Sequence, residues 1–219
     1  MQNAILTIDI YDYIILLNLI LHYGGLRRDM KYLLFVNRKG GVGKSLCCAE
    51  TVLSLRRSGI ETDFVDLDAQ NGNILKPSES PNSKVACIDT PGTLTSDLAE
   101  WIQNADVVIC PTLAATVEQD SVELMIKAFK ANRKRRAKMI IVLNRFTRWT
   151  NCQDFIEWLH EVTEGITGVE ITTLAQSELF AKAGGHGESV ITYYPKSSAA
   201  ASALNMVNTI RRAAGLPEE

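Results

Sequence analysis

Apolar and polar positions follow two rhythms along this chain. Tyr32–Val36, Val85–Ile88, Val107–Cys110 and Met139–Leu143 are short, unbroken apolar runs, the pattern of strands buried on both faces of a parallel sheet. Ile60–Leu67 predicts a further strand, and Val169–Leu174 and Val190–Tyr193 predict shorter ones. Between them the apolar residues recur with a period near 3.6. Leu46, Ala49, Val52, Leu53 and Leu55 mark a helix over Lys44–Ser58 that stops at Gly59. Val122, Met125, Ile126 and Phe129 mark one over Glu118–Asn132, and Phe155, Ile156, Leu159 and Val162 mark another. Helices are also predicted at Leu94–Gln103 and Ser197–Ala214, with a loop rich in Asn, Gly, Pro and Ser over Ala69–Ser83. Strands alternating with helices predict an α/β fold, a mostly parallel sheet with helices on both faces. In such sheets ligands sit beyond the carboxyl ends of the strands.

The first of those strand ends carries the densest chemistry. Asn37-Arg38-Lys39-Gly40-Gly41-Val42-Gly43-Lys44-Ser45 lies between a predicted strand and a predicted helix, which is the context in which a glycine-rich turn cradles phosphate. Glycines let backbone N–H groups converge on an anion, and the helix adds its own N-terminal N–H groups and dipole. Lys44 is then placed for the β- and γ-phosphates and the Ser45 hydroxyl for Mg²⁺. The first glycine position of the usual pattern holds Arg38, and a second lysine, Lys39, stands inside the turn. Asp89 ends an apolar strand, as an acid must to reach the metal region. Gly92 is a candidate backbone donor to the γ-phosphate. Asp66 and Asp68 flank another strand end, where a carboxylate can hold a water nucleophile. Each of these has a plainer reading, a turn, a capping Asp or a surface Lys, and their joint placement at strand ends argues against it.

Composition adds boundaries. The chain has 219 residues, 46% hydrophobic and 22% charged, with a net charge of -2, enough for one α/β domain and no overall pull toward a polyanion. Five cysteines without a C-x-x-C pair support neither a disulfide framework nor a zinc site and suit a reducing cytoplasm. Ile5–Leu21 is apolar but interrupted by Asp9, Asp12 and Asn18, too short a run for a spanning helix. Three readings stand for it: an extra packed element, a weak membrane contact, or a translated upstream region. We favour the third, with residues 1–29 as an extension, Met30 at the start of the native protein, and 30–219 as a single domain.

The segments R-K-G-G-V-G-K-S, D-L-D-A-Q-N and I-D-T-P-G, followed by G-E-S-V-I-T-Y-Y-P-K-S-S-A-A near the end, resemble the ParA/MinD family of deviant Walker A ATPases from Met30 onward. The resemblance implies a P-loop NTPase of the SIMIBI type, ATP and Mg²⁺ as cofactors, and a homodimer closed around two ATP molecules. By the same resemblance Lys39, Gly40, Gly41, Val42, Gly43, Lys44, Ser45 and Leu46 bind nucleotide, and Asn144 contacts the base. Lys39 reaches the partner's nucleotide, Lys44 and Asp68 serve hydrolysis, and Ser45 and Asp89 hold the metal. There are departures: Ala69 replaces a proline that often follows the switch acid, the Asp68-to-Asp89 gap is short, and Ala175 stands where some relatives carry a DNA-binding arginine.

From Met125 to Gln153 there is no acid, while Lys127, Lys130, Arg133, Lys134, Arg135, Arg136, Lys138, Arg145 and Arg148 all fall there. A solvated helix end is the plain reading; with the resemblance, Arg133, Lys134, Arg135, Arg136, Lys138, Arg145 and Arg148 become candidate contacts for non-specific DNA. Trp149 reads equally as core packing or as a base-stacking platform. The expected partners are a second copy, DNA and a ParB-like centromere-binding adaptor, in a cytoplasmic, nucleoid-associated protein acting in DNA segregation. The alternatives are a MinD-like membrane-associated ATPase, disfavoured by the acidic, weakly amphipathic end of the chain, and a conjugation-associated relative.

Overall fold

The computed structural model describes residues 27, 29–67, 75–92 and 98–219. Ile5–Leu21, with its three readings, and Asp68 lie outside the described residues. The chain divides into two compact units, Met1–Met30 and Lys31–Glu219. In the first, Arg27 pairs with Asp29 at 3.1 Å.

The second unit is built on six parallel strands: β1 (Lys31–Phe35), β2 (Thr62–Asp66), β3 (Val85–Asp89), β4 (Val107–Thr112), β5 (Lys138–Phe146) and β6 (Val169–Ala175). Their order across the sheet is β2-β3-β1-β4-β5-β6. The helices are α1 (Lys44–Arg57), α2 (Leu98–Asn104), α3 (Thr116–Asn132), α4 (Thr150–Thr163), α5 (Leu179–Gly185), α6 (Val190–Tyr193) and α7 (Ser198–Ala214). Successive strand residues face opposite ways. Leu33, Phe35, Cys87, Ile109, Ile140 and Val142 therefore form one core with Val52 and Leu55 of α1 and Met206, Val207 and Ile210 of α7. Leu34, Ile88, Val108, Met139 and Ile141 are buried on the other face, the side of Ile102, Val122, Met125 and Phe129 from α2 and α3. Burial on both faces explains why these strands read as continuous apolar runs.

Two expectations need correction. Val190–Tyr193 is a helical turn, not a strand. Its β-branched composition favours a strand, but Ser189 Oγ accepts the Ile191 N–H at 3.0 Å and Glu50 Oε1 accepts the Val190 N–H at 3.1 Å, and such N-terminal capping directs the chain into a turn of helix. Trp149 is 75% exposed, which removes the core-packing reading.

The far end of α1 is fixed by a polar staple. Arg211 of α7 is buried and donates from Nη2 to the Ser54 carbonyl at 2.9 Å, and it pairs with Glu219 at 3.3 Å. The helix that starts at the glycine turn is thereby held at both ends.

Candidate functional site

The carboxyl ends of the strands gather the predicted residues. Asp89, fully buried, is in register with Phe35 of β1 on one side and Asp66 of β2 on the other. It shares the side-chain parity of Cys87, which faces α1, and its charge, after burial and Glu50, helps push the Cys47 thiol up. Asp89 thus lies close to the first turn of α1, as a metal-region acid should.

Behind β1 the chain enters the turn through Asn37, which is fully buried. Its Nδ2 donates to the Pro111 carbonyl at 2.7 Å, and its Oδ1 accepts from the Lys39 N–H at 3.1 Å and the Ser121 hydroxyl at 2.8 Å. Gly43 is the N-cap of α1, with φ 100° and no side-chain hydrogen bond to the cap, and no acid lies in the first turn. No side chain caps the start of this 14-residue helix, and a helix N-terminus favours an anion. A Cβ on Gly43 would stand 2.1 Å from Asn144 Nδ2, and one on Gly92 would stand 3.0 Å from the Gly40 nitrogen. The turn therefore fits backbone alone on two sides. This cradle, with the Ser45 hydroxyl and the Asp89 carboxylate, is a donor set suited to a Mg²⁺–nucleotide.

The two lysines of the turn differ. Lys44 is buried, and its Nζ folds back to donate to the Lys39 carbonyl at 3.0 Å. Lys39 keeps 36% of its side chain exposed; its Nζ lies 3.4 Å from Glu118 Oε1 and donates to the Val117 carbonyl.

Beside the turn opens a cleft of about 470 Å³ lined by Leu46, Asn144, Arg145, Gln176, Glu178 and Phe180 among others. Asn144 is a brace as well as a wall: Nδ2 donates to the Val42 carbonyl at 2.9 Å, and Oδ1 accepts the Arg145 N–H at 2.8 Å. A register shift in β5 between Leu143 and Phe146 puts Arg145 at φ 53°, a left-handed conformation uncommon for a side-chain-bearing residue. Gln176 and Phe180 were not singled out from sequence, although Gln176 directly follows β6 and the strand-end rule points there.

The basic residues do not form one surface. Lys138 and Arg145 stand near opposite ends of β5, roughly 20 Å apart at about 3.3 Å per residue. Arg145 lines the cleft, and Arg148 and Trp149 follow at that same end. Arg133, Lys134, Arg135, Arg136 and Lys138 lie at the amino-terminal edge, where Lys31 and Lys84 also precede or start their strands. Arg133 is engaged with the Thr167 carbonyl at 2.6 Å and lies over the Phe129 ring, and Lys134 pairs with Asp106 at 3.7 Å. Arg135 and Arg136 are exposed. The five cysteines are all buried and free, and burial pushes the Cys110 thiol up to about 12, which leaves no reactive thiolate there.

A glycine turn on an uncapped helix, a buried lysine and a strand-end acid beside a cleft define a P-loop nucleotide-binding α/β protein. Residues 33–190 match the CobQ/CobB/MinD/ParA nucleotide binding domain, and the chain belongs to that family. No curated protein sequence is significantly similar to it. Among solved structures it is similar to a McdA variant from Cyanothece in complex with ATP, with 14% identity, a TM-score of 0.67, and 88% of this chain and 99% of the other covered. It is also similar to MinD from Pyrococcus horikoshii complexed with Mg-ADP, at 16% identity and TM-score 0.64, covering 85% and 98%. A putative plasmid partition protein from Borrelia burgdorferi bound to AMPPNP aligns at 14% identity and TM-score 0.61, covering 84% and 99%. At these identities the likeness establishes the fold.

Proposed function

We propose that this chain is a Mg²⁺-dependent ATPase that dimerises around two ATP molecules and uses the cycle to segregate or position DNA. The observation that carries the reading is the pair of lysines in one phosphate turn. Lys44 folds inward over the cradle, whereas Lys39 leaves it on the outer side and stays partly exposed. One ammonium suffices for the nucleotide of its own subunit. The other suits the phosphates of a partner's nucleotide, where positive charge delivered in trans stabilises the transition state.

We infer the remaining roles from the family pattern. The amides around Gly43 and Lys44 hold the phosphate chain, and Ser45 and Asp89 hold the metal. Bound Mg²⁺ supplies charge neutralisation on the phosphate oxygens. Asp68 orders the attacking water, and Gly92, packed against Gly40, offers an N–H at the terminal phosphate. Asn144 stiffens the turn, and the base enters the cleft beside Arg145 and Gln176. Because Arg145 lines that cleft, we assign it to the nucleotide rather than to DNA. Lys134, Arg135, Arg136 and Lys138, together with Lys31 and Lys84, support a non-specific DNA contact at the strand amino edge. A centromere-binding adaptor would then supply sequence recognition. Among the described residues no helix is long and apolar enough to cross a membrane, and we place the protein in the cytoplasm on the nucleoid.

Sedimentation of wild type and Lys39→Ala with ATP, with and without DNA, tests this. Wild type is expected to dimerise with ATP and then bind DNA, and Lys39→Ala to lose turnover. Full ATPase activity and an intact ATP dimer in Lys39→Ala would overturn the reading.

A further inference from the structure

Lys39 is tied at both its root and its tip to helix α3. Its backbone N–H is held by Asn37, whose Oδ1 also accepts from Ser121 of α3. Its ammonium meets Glu118 Oε1 at 3.4 Å and the Val117 carbonyl, both on the first turn of the same helix. The Glu118 side chain is only 9% exposed, and its second oxygen, Oε2, is buried without a hydrogen-bond partner. A carboxylate in that position is tolerable while a cation stands beside it. Once the cation leaves, a buried and incompletely bonded charge remains.

We propose that Glu118 is a positioning residue that holds Lys39 in cis in the nucleotide-free protein, so that subunits can associate only by drawing Lys39 away from it. The proposal rests on the reading that Lys39 acts in trans. On this view α3 is the restraint on assembly. Releasing Lys39 requires a stronger anion than one carboxylate, and a partner's triphosphate carries more negative charge than the diphosphate left after hydrolysis. The latch thus favours association with ATP and re-forms once the terminal phosphate is gone. Val117, 71% exposed, sits beside the lysine on the rim that a second subunit would have to approach.

Two measurements on the full chain test the proposal. The first is a double-mutant cycle by denaturant unfolding without nucleotide, over Lys39→Ala and Glu118→Gln. Lys39→Ala is expected to shift the unfolding equilibrium several-fold in wild type and much less in Glu118→Gln. Glu118→Asp, which keeps the charge, should restore part of that coupling. The second is sedimentation with ATP. Glu118→Gln should reach half-association at a protein concentration roughly three- to tenfold below wild type, the range expected for losing one partly buried ion pair. An equal cost of Lys39→Ala in both backgrounds, or an unchanged or higher half-association concentration, overturns the latch. Wild type that never associates with ATP overturns the trans reading instead. That result is distinguishable, because the Lys39–Glu118 coupling is measured without nucleotide.

Discussion

The strictest test of the site is Gly43→Ala set against Gly41→Ala. Both glycines have positive φ, 100° and 75°, and an L residue in left-handed backbone costs about 1–2 kcal/mol. At Gly41 nothing lies within 4 Å of an added Cβ, so conformational cost is the whole effect. At Gly43 the Cβ meets Asn144 Nδ2 at 2.1 Å, and this amide must leave the Val42 carbonyl it braces at 2.9 Å. Abandoning a buried acceptor adds about 1–3 kcal/mol. Folding stability, read by denaturant unfolding without nucleotide, should therefore fall by about 1–2 kcal/mol in Gly41→Ala and by about 2–5 kcal/mol in Gly43→Ala. Asn144→Ala alone should reproduce the bracing part. Placed in the Gly43→Ala background it should cost much less, since the brace is already displaced. Equal stabilities for the two glycine variants, or an Asn144→Ala penalty independent of Gly43, would refute the account.

Two other outcomes follow from the structure. Burial raises the Glu50 carboxyl above its ordinary value, against opposing hydrogen bonds from Ser189 and Val190, so its contribution to stability is full below the unfolded value of 4.5 and is lost as pH rises through the raised folded value. Glu50→Gln, which stays neutral and keeps an acceptor, should therefore gain stability relative to wild type as pH climbs from 4.5 toward neutrality; a constant difference in denaturant unfolding over that window contradicts this. For DNA, the slope of log affinity against log salt should fall by about 0.9 for each of Arg135→Ala and Arg136→Ala, and by much less for Arg145→Ala; equal effects would return Arg145 to the DNA surface.

How far the sequence reaches can be judged residue by residue. The sheet and the turn are legible because their signals are local: apolar runs, glycine spacing and acids at strand ends. The runs put Asp89 at a strand end; its place next to β1 comes only with the strand order. Val190–Tyr193 misleads because two capping partners, Glu50 and Ser189, outweigh its strand propensity, and Glu50 stands 140 residues away. The division of the basic residues is likewise invisible in one dimension. Lys138 and Arg145 are close in sequence, but an extended strand carries them to opposite ends of the sheet. Arg145 lines the cleft at a β-bulge, which no residue pattern in this segment announces.

The two asparagines explain why the turn can be both irregular and rigid. A glycine turn has almost no side chains to pack, and Val42 is its one buried apolar anchor. Its geometry has to come from polar contacts made by neighbouring strands. Those contacts are buried, so each atom used must find a partner. An amide suits this duty because it donates and accepts at once. Asn37 donates to Pro111 and accepts from Lys39 and Ser121, joining the turn to β4 and α3. Asn144 donates to Val42 and accepts from Arg145, joining it to β5. An ionised aspartate at either position could accept but not donate, and would bury a charge. Lys39 hangs from the first of these braces, so the same polar frame that shapes the phosphate cradle also sets where the lysine rests.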